Sequence, residues 1–163
     1  MSDRTNCNLQ HIDTVYSLPE NKAIEASLLF RTRHNRKIRV LNNLAELDRS
    51  ATGYLPQKEH DQTSRQAFLN PTKSVRGWER VDDLRRRVVR CYASIVASSG
   101  NDQVVLVSGH GGAGLVLYSH LLGRKNIVHL WQHRVWGVCL HIAHLPNDFS
   151  CRGRHWKKCL IVT

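Results

Sequence analysis

The clearest pattern in the chain is an unbroken apolar run at residues 104–107, followed by the glycine-rich sequence SGHGG at 108–112 and a mostly apolar, helix-compatible segment at 113–122. A short apolar run rich in β-branched residues is typical of a strand buried on both faces of a parallel sheet. Ligands of open α/β sheets bind at the carboxyl ends of such strands, and the N-terminus of a following helix offers unpaired N–H groups to an anion. The pattern therefore predicts a strand, a tight turn and a helix that place His110 against a phosphate-like group, unless the histidine is incidental to the turn.

The rest of the chain alternates between patterns typical of strands and of helices. A polar stretch punctuated by glycine and proline at residues 42–56 predicts loops and turns. A β-α-β, loop, α, β-α order is typical of an α/β domain. The predicted elements before the apolar run are a strand at 11–16, a helix at 20–33, a strand at 37–41 and helices at 57–69 and 78–98, and one or two further strands are predicted within 130–142.

Two of the predicted helices have a spacing that defines an inner face. In the first helix, Ala23, Ile24, Ser27 and Leu28 are predicted to face the core. In the helix at 78–98 the arginines fall mostly on the other faces, and we interpret them as solvated surface rather than as a binding site. The inner face of this helix consists of Val81, Leu84, Val88, Cys91 or Tyr92, and Ile95, and its arginines are Arg85, Arg86, Arg87 and Arg90.

Charge and composition divide the chain unevenly. Its 163 residues suffice for one domain with a core, and the net charge is +11. More than half of that charge lies in residues 124–163, which also contain three of the four tryptophans and three of the five cysteines. We therefore predict a domain at 1–123 and an atypical basic segment at 124–163. Basic charge of this size indicates an anionic partner, either phosphorylated metabolites or nucleic acid.

The sequence gives no indication of a membrane span or of a bound metal. No apolar run reaches the ~20 residues that a bilayer requires, and the first residues lack the character of a secretory signal. Five cysteines without regular spacing favour a reducing, cytoplasmic compartment. The cysteines and histidines of the basic segment match no common zinc spacing, so chance clustering is the favoured interpretation and no cofactor is predicted. These residues are Cys139, His141, His144, Cys151, His155 and Cys159.

The SGHGG sequence resembles the second histidine motif of the histidine phosphatase (phosphoglycerate mutase-like) superfamily. Three earlier segments are similar to further family motifs, in the same order along the chain. SLPENKAIEA at 17–26 is similar to the motif in which serines precede a phosphate-binding arginine. LAELDRSATGYLP at 44–56 resembles the segment that carries the general acid, and residues 68–79 resemble the lead-in to the long helix.

The resemblance implies a fold, a reaction and a set of site residues. The implied fold is a three-layer α/β/α sandwich with a mostly parallel sheet. The implied reaction is hydrolysis of a phosphate monoester through a phosphohistidine intermediate, without a metal, on a phosphorylated small molecule. By position, Glu46 matches the general acid and His110 the second histidine. His110, Gly111 and Ser17 match phosphate-binding positions, and Asn21 stands where an arginine is expected.

Two departures from the family pattern weaken the expected activity. The family begins with a strand that ends in Arg-His-Gly and supplies the nucleophile, and no such sequence occurs here. A neutral amide at Asn21 cannot replace a bidentate guanidinium. We therefore expect hydrolysis to be impaired or lost. The alternatives are a non-catalytic phosphate-binding protein and a basic nucleic-acid-binding protein, for which no specific aromatic platform is visible.

The missing strand has two structural implications. The fold is expected to be incomplete at the N-terminus, with an unpaired edge beside the strand at 104–107 that a partner or a second copy of the chain would complete. The sequence RTRHN at 31–35 looks like a substitute for the missing motif, but it stands in the wrong order relative to the other motifs. His34 is therefore predicted to end the first helix and not to act as the nucleophile.

Overall fold

The computed structural model describes residues 12–34, 37–100, 103–109, 111–121, 123, 127–128 and 140–143. Within this part of the chain the strands and helices follow the predicted alternation. The strands are β1 (Thr14–Ser17), β2 (Ile38–Val40), β3 (Val104–Ser108) and β4 (Leu140–Ala143), and the helices are α1 (Asn21–His34), α2 (Gln57–Leu69), α3 (Val81–Ser98) and α4 (Gly111–Leu121), with a short 3-10 helix at Asn42–Leu44.

The four strands form one sheet in the order β2-β1-β3-β4. β1 pairs in parallel with both β2 and β3, and β4 pairs with β3 in the antiparallel direction. Val15 of β1 and Leu106 of β3 are opposite each other and almost fully buried, as expected for strands at the centre of a sheet. The prediction of an α/β fold with a mostly parallel sheet is confirmed.

β3 has a paired strand on each side, because β4 covers the edge that β1 leaves open. The register runs from Val104 opposite Ala143 to Val107 opposite Leu140. The expectation that this edge of β3 lacks a partner is therefore wrong for these residues. The physical reason is that a strand from the basic segment supplies the hydrogen-bonding groups, so no second molecule is required to satisfy them.

The inner face of α3 forms a large part of the core. Its five core-facing positions are buried as the spacing predicts, and the fourth of them is Cys91 rather than Tyr92, which is only partly buried. The helix begins at Val81 and not at Trp78, because Arg80 has an extended backbone and the Trp78 N–H turns back to the Val75 carbonyl. The buried residues are Val81, Leu84, Val88, Cys91 and Ile95.

The buried stripe of α1 is narrower than predicted. Ala23 and Ser27 are enclosed, but the Leu28 side chain is 40% exposed, so its placement in the core was wrong. The Ser27 hydroxyl donates to the Ala23 carbonyl within α1 at 2.8 Å. The Ser108 hydroxyl donates to the same carbonyl at 3.1 Å, and this bond fixes α1 against the end of β3. α1 ends at His34, which confirms the predicted position of that residue in the chain.

Two of the surface arginines of α3, together with Arg80 just before the helix, form ion pairs with aspartates of its first turn. Arg85 contacts Asp82 at 2.9 Å, and Arg80 and Arg86 both contact Asp83. Bonding to Arg80 lowers the pKa of Asp83.

None of the helices in the described ranges is both long and apolar enough to cross a membrane.

Candidate functional site

The carboxyl ends of β1 and β3 lie side by side at one edge of the sheet. Ser17 is opposite Ser108, and the Leu18 N–H donates to the Ser108 carbonyl at 3.0 Å. Helix α1 begins four residues after β1, and α4 begins shortly after β3. The N-termini of both helices, with the positive ends of their dipoles, therefore start at this edge.

The Glu46 loop, residues 43–48, follows β2 and reaches the N-terminus of α4. The Glu46 carboxylate accepts one hydrogen bond from the Gly112 N–H at 2.9 Å and another from the Leu47 N–H at 2.8 Å. A Cβ at position 112 would lie only 2.0 Å from the Glu46 Oε1 atom, so the close approach requires glycine there. The structure thus brings Glu46 to the SGHGG turn, across a sequence separation of 66 residues.

Glu20 is a second carboxylate at this edge, and the sequence interpretation did not single it out. Its carbonyl accepts the first hydrogen bonds of α1, and its side-chain Oε1 accepts the Glu46 N–H at 2.7 Å. The other oxygen, Oε2, is buried and has no hydrogen-bond partner among the described residues. Its sequence signal is its place as the first residue of the helix predicted at 20–33, where an acidic side chain is favoured by the helix dipole.

Arg87 supports the Glu46 loop, and its interpretation as solvated surface was wrong. Its side chain is 24% exposed, and its guanidinium donates to the Ala45 carbonyl at 2.6 Å and the Glu46 carbonyl at 2.9 Å. The position lies three residues after Leu84 and four before Cys91, both of which are buried. Helical spacing therefore placed Arg87 at the margin of the buried face, and this was the signal that could have identified it.

The segment that follows the Glu46 loop is held by contacts around the Trp78 side chain, which is only 1% exposed. The Trp78 Nε1–H donates to the Thr52 hydroxyl at 2.8 Å, and the Arg49 guanidinium lies 5.8 Å from the centre of the Trp78 ring. Arg49 also contacts the His60 Nε2 atom, and the His60 ring is 5.7 Å from the Trp78 ring. These contacts hold the segment after the Glu46 loop against α2 and the start of α3.

The other predicted site residues differ in their placement. Gly111 is the first residue of α4 and is partly buried. Ser17 is fully buried, and its hydroxyl donates to the Leu18 carbonyl at 2.9 Å. Asn21 is exposed at the first position of α1. His110 lies outside the described residues.

The described residues contain no group of three or more histidine, cysteine or acidic side chains arranged to hold a metal ion. The cysteines and histidines of the predicted basic segment lie outside them, except for His141 of β4, whose side chain is not described. Among the described residues, the site offers the N-termini of two helices for anion binding and the Glu20 and Glu46 carboxylates for proton transfer, with Arg87 beside them.

A family model, that of the histidine phosphatase superfamily (branch 1), matches residues 5–150. The chain belongs to this superfamily. The match covers most of the 163 residues and crosses the predicted boundary at residue 123. It agrees with the similarity that the ordered motifs indicate. No curated protein matches the chain significantly.

Solved structures share the fold of this histidine phosphatase-family chain. A structure described as mycobacterial hydrolase 2 has a TM-score of 0.69 at 21% identity, over 95% of this chain and 74% of its own. A mycobacterial glucosyl-3-phosphoglycerate phosphatase has a TM-score of 0.58 at 23% identity, over 73% of this chain and 62% of its own. Mycobacterial hydrolase 1 has a TM-score of 0.61 at 24% identity, over 75% of this chain and 64% of its own. The matches to the last two thus span less than two thirds of those proteins.

Proposed function

We propose that this chain binds the phosphoryl group of a phosphorylated small molecule at the edge where β1 and β3 end, and that it hydrolyses phosphate monoesters weakly or not at all. One observation carries the proposal: the Glu46 carboxylate accepts the Gly112 N–H at 2.9 Å, in the first turn of α4. Membership of the histidine phosphatase superfamily supports a phosphoryl ligand. The cysteine pattern favours the cytoplasm as the compartment of that ligand.

The proposed binding mode follows from the backbone at this edge. The N–H groups at the start of α4 are suited to an anion, since they are unpaired within the helix and lie at its positive end. Glu46 is our candidate for the group that protonates the leaving oxygen of a bound monoester. Because the 163 residues contain no Arg-His-Gly sequence, attack by a family-type nucleophile is not part of the proposal.

The charge of Glu46 opposes phosphate binding. An ionised carboxylate and a phosphate dianion at short distance repel each other. Replacing Glu46 with glutamine keeps a hydrogen-bond acceptor for the Gly112 N–H but removes the negative charge. The proposal therefore predicts that Glu46→Gln binds inorganic phosphate more tightly than the unaltered chain. It also predicts that this variant loses any residual hydrolysis.

A solved relative supports the choice of ligand. The mycobacterial glucosyl-3-phosphoglycerate phosphatase has also been solved as a complex with inorganic phosphate, with a TM-score of 0.57 to this chain. At 24% identity this likeness shows the fold alone, so the ligand is carried over here only as a proposal. Inorganic phosphate is accordingly the first probe to use.

The test combines binding and turnover on the same preparations. Phosphate binding is measured by calorimetry and by ³¹P NMR, and turnover is measured with p-nitrophenyl phosphate. The variants are Glu46→Gln and His110→Ala, with Gln57→Ala in the first turn of α2 as a control away from the site. We expect saturable phosphate binding that weakens in His110→Ala, strengthens in Glu46→Gln and is unchanged in Gln57→Ala. Turnover should stay near the buffer background.

Two results would overturn parts of the proposal. Rapid hydrolysis that disappears in His110→Ala would show an active phosphatase, with a nucleophile that the motif comparison missed. Binding that is undetectable at millimolar phosphate, or equally weakened by every variant, would show that this edge is not a phosphoryl site. If the chain binds polyanions but not phosphate, and if that binding weakens steeply as the salt concentration rises, the nucleic-acid alternative would be favoured instead.

A further inference from the structure

The Arg87 side chain donates hydrogen bonds to three backbone carbonyls of the Glu46 loop. Its Nη1 atom donates to the Ala45 carbonyl at 2.6 Å and to the Asn43 carbonyl at 3.2 Å, and its Nη2 atom donates to the Glu46 carbonyl at 2.9 Å. The Asn43 carbonyl belongs to the short 3-10 helix, whereas the Ala45 and Glu46 carbonyls lie outside the strands and helices. The backbone of the loop therefore depends on a side chain of α3 for these hydrogen bonds.

Glu79 fixes the orientation of the Arg87 guanidinium. The Arg87 Nε and Nη2 atoms each donate to one carboxylate oxygen of Glu79 at 2.8 Å, which is the bidentate geometry that only an arginine can form. The Glu79 side chain is 16% exposed. Glu79 also exchanges two hydrogen bonds with the backbone of Asp48, at 2.9 and 3.2 Å. The Arg87–Glu79 pair therefore holds both ends of the Glu46 loop.

The pair determines where the Glu46 carboxylate lies. The backbone of Glu46 is held at its carbonyl by Arg87 and at its N–H by Glu20, and its side chain then reaches the Gly112 N–H. The Glu46 Oε1 atom lies 2.0 Å from the place that a Cβ on residue 112 would take, so this close contact forms only because residue 112 is glycine. A displaced loop would separate the carboxylate from α4.

The negative charges around the Glu46 loop also require Arg87. Glu20, Glu46 and Glu79 all interact electrostatically with Arg87, whose pKa is raised chiefly by its hydrogen bond to Glu79. Within the described part of the site, Arg87 is the cation that offsets these carboxylates. Removing it would leave the carboxylates to repel one another across the loop.

We propose that Arg87, clamped by Glu79, is the positioning residue that holds the Glu46 carboxylate at the N-terminus of α4. Arg87 touches no proposed ligand atom, so it acts through Glu46. The importance of this positioning for phosphoryl chemistry rests on the function proposed above. The positioning itself can be measured without any ligand, because the Gly112 N–H reports directly on the Glu46 carboxylate.

The test follows the Gly112 amide in ¹H–¹⁵N spectra while the pH is varied. In the unaltered chain this amide should shift as the Glu46 carboxylate takes up a proton, and Glu46→Gln, which cannot titrate, should abolish that shift. Arg87→Met should reduce its amplitude to about half or less, because the loop loses its hydrogen-bond donors. Arg85→Met is the matched control, since Arg85 lies on the same helix and pairs with Asp82 at 2.9 Å instead.

A second variant keeps the test decisive if Arg87→Met does not fold. Arg87→Lys retains the charge and the aliphatic stem but cannot form the bidentate contact, so it should fold and give an intermediate Gly112 amplitude. An unchanged Gly112 titration in either folded variant would overturn the positioning role. An equal loss in Arg85→Met would also overturn it, because the effect would then be general to α3. Failure of phosphate binding in the unaltered chain would remove only the proposed function, since the amide measurement uses no phosphate.

Discussion

Gly109 lies where β3 ends, against a buried leucine of the neighbouring strand end. A Cβ built on Gly109 would be 2.4 Å from the Leu18 Cδ1 atom and 2.9 Å from its Cδ2 atom. Leu18 is only 3% exposed, so its branched side chain is enclosed by protein and cannot move aside into solvent. At this residue the SGHGG turn is thus constrained by packing, separately from any role in ligand binding.

We expect Gly109→Ala to lower the free energy of unfolding by about 1–3 kcal/mol, the usual cost of forcing extra volume into a packed core. Gly100→Ala is the matched control, because among the described residues its Cβ would meet Gln103 at 3.7 Å, an ordinary contact distance. The control should change the free energy of unfolding by less than about 0.5 kcal/mol. Urea unfolding followed by circular dichroism measures both.

A double variant separates packing from backbone effects. If the Leu18 side chain causes the loss, Gly109→Ala should cost less in a Leu18→Ala background than in the unaltered chain. An equal cost in both backgrounds would show that the clash with Leu18 is not the cause.

At the scale of elements, hydrophobic spacing was sufficient to predict what is local. α2 occupies the predicted residues 57–69, and the inner face of α3 is buried as its three- and four-residue steps require. These features depend on neighbours within one or two helical turns. The boundaries that shifted, such as the start of α3, depend on turn contacts such as that between Trp78 and Val75.

What the sequence could not predict depends on partners that are distant along the chain. Arg87 bonds to the Ala45 carbonyl 42 residues away, and Glu46 bonds to Gly112 66 residues away. Periodicity reports whether a position faces the core, but not which backbone carbonyl lies opposite a long polar side chain. The pairing of β4 with β3 was missed for the same reason, because antiparallel pairing across 33 or more residues leaves no local pattern.

The buried face of α3 yields a prediction about Cys91. Burial raises the pKa of its thiol above the ordinary value of 9.0, and the residue is 9% exposed. Because the thiolate is the reactive form, Cys91 should react with iodoacetamide at least ~10-fold more slowly in the folded chain than in denaturant. The raised pKa should also delay the increase in labelling as the pH rises.

Peptide mapping by mass spectrometry measures labelling at Cys91 separately from the other four cysteines. Val88→Ala, which leaves a cavity one turn before Cys91, should accelerate the labelling. Tyr92→Phe should leave it nearly unchanged, because it alters only a hydroxyl on a neighbouring face. Rapid labelling of Cys91 in the native, unaltered chain would show that α3 opens readily or that its inner face is not enclosed.

At the scale of the molecule, β4 joins the predicted basic segment to the sheet. The division of the chain at residue 123 stays a prediction, but the strand at Leu140–Ala143 shares a sheet with β1, β2 and β3. The core and the basic segment are therefore coupled through backbone pairing. A partner molecule that completes the sheet at this edge of β3 would have to displace β4.

This coupling predicts different outcomes for two shortened chains. A chain without residues 148–163 keeps β4 and should retain its free energy of unfolding within about 1 kcal/mol. A chain without residues 131–163 loses the four residues of β4, which pair with Val104–Val107. Its stability should fall by about 3 kcal/mol or more, because backbone groups and the apolar surface of β3 become exposed.

The exposed edge should also change the association state of the shorter chain. An unpaired, apolar strand edge is a template for pairing with another molecule, so the chain that lacks 131–163 should form dimers or aggregates that sedimentation detects. The chain that lacks only 148–163 should sediment as the full chain does. Equal stability and equal sedimentation of the two shortened chains would contradict the pairing of β4 with β3, and would restore the expectation that another molecule completes this edge.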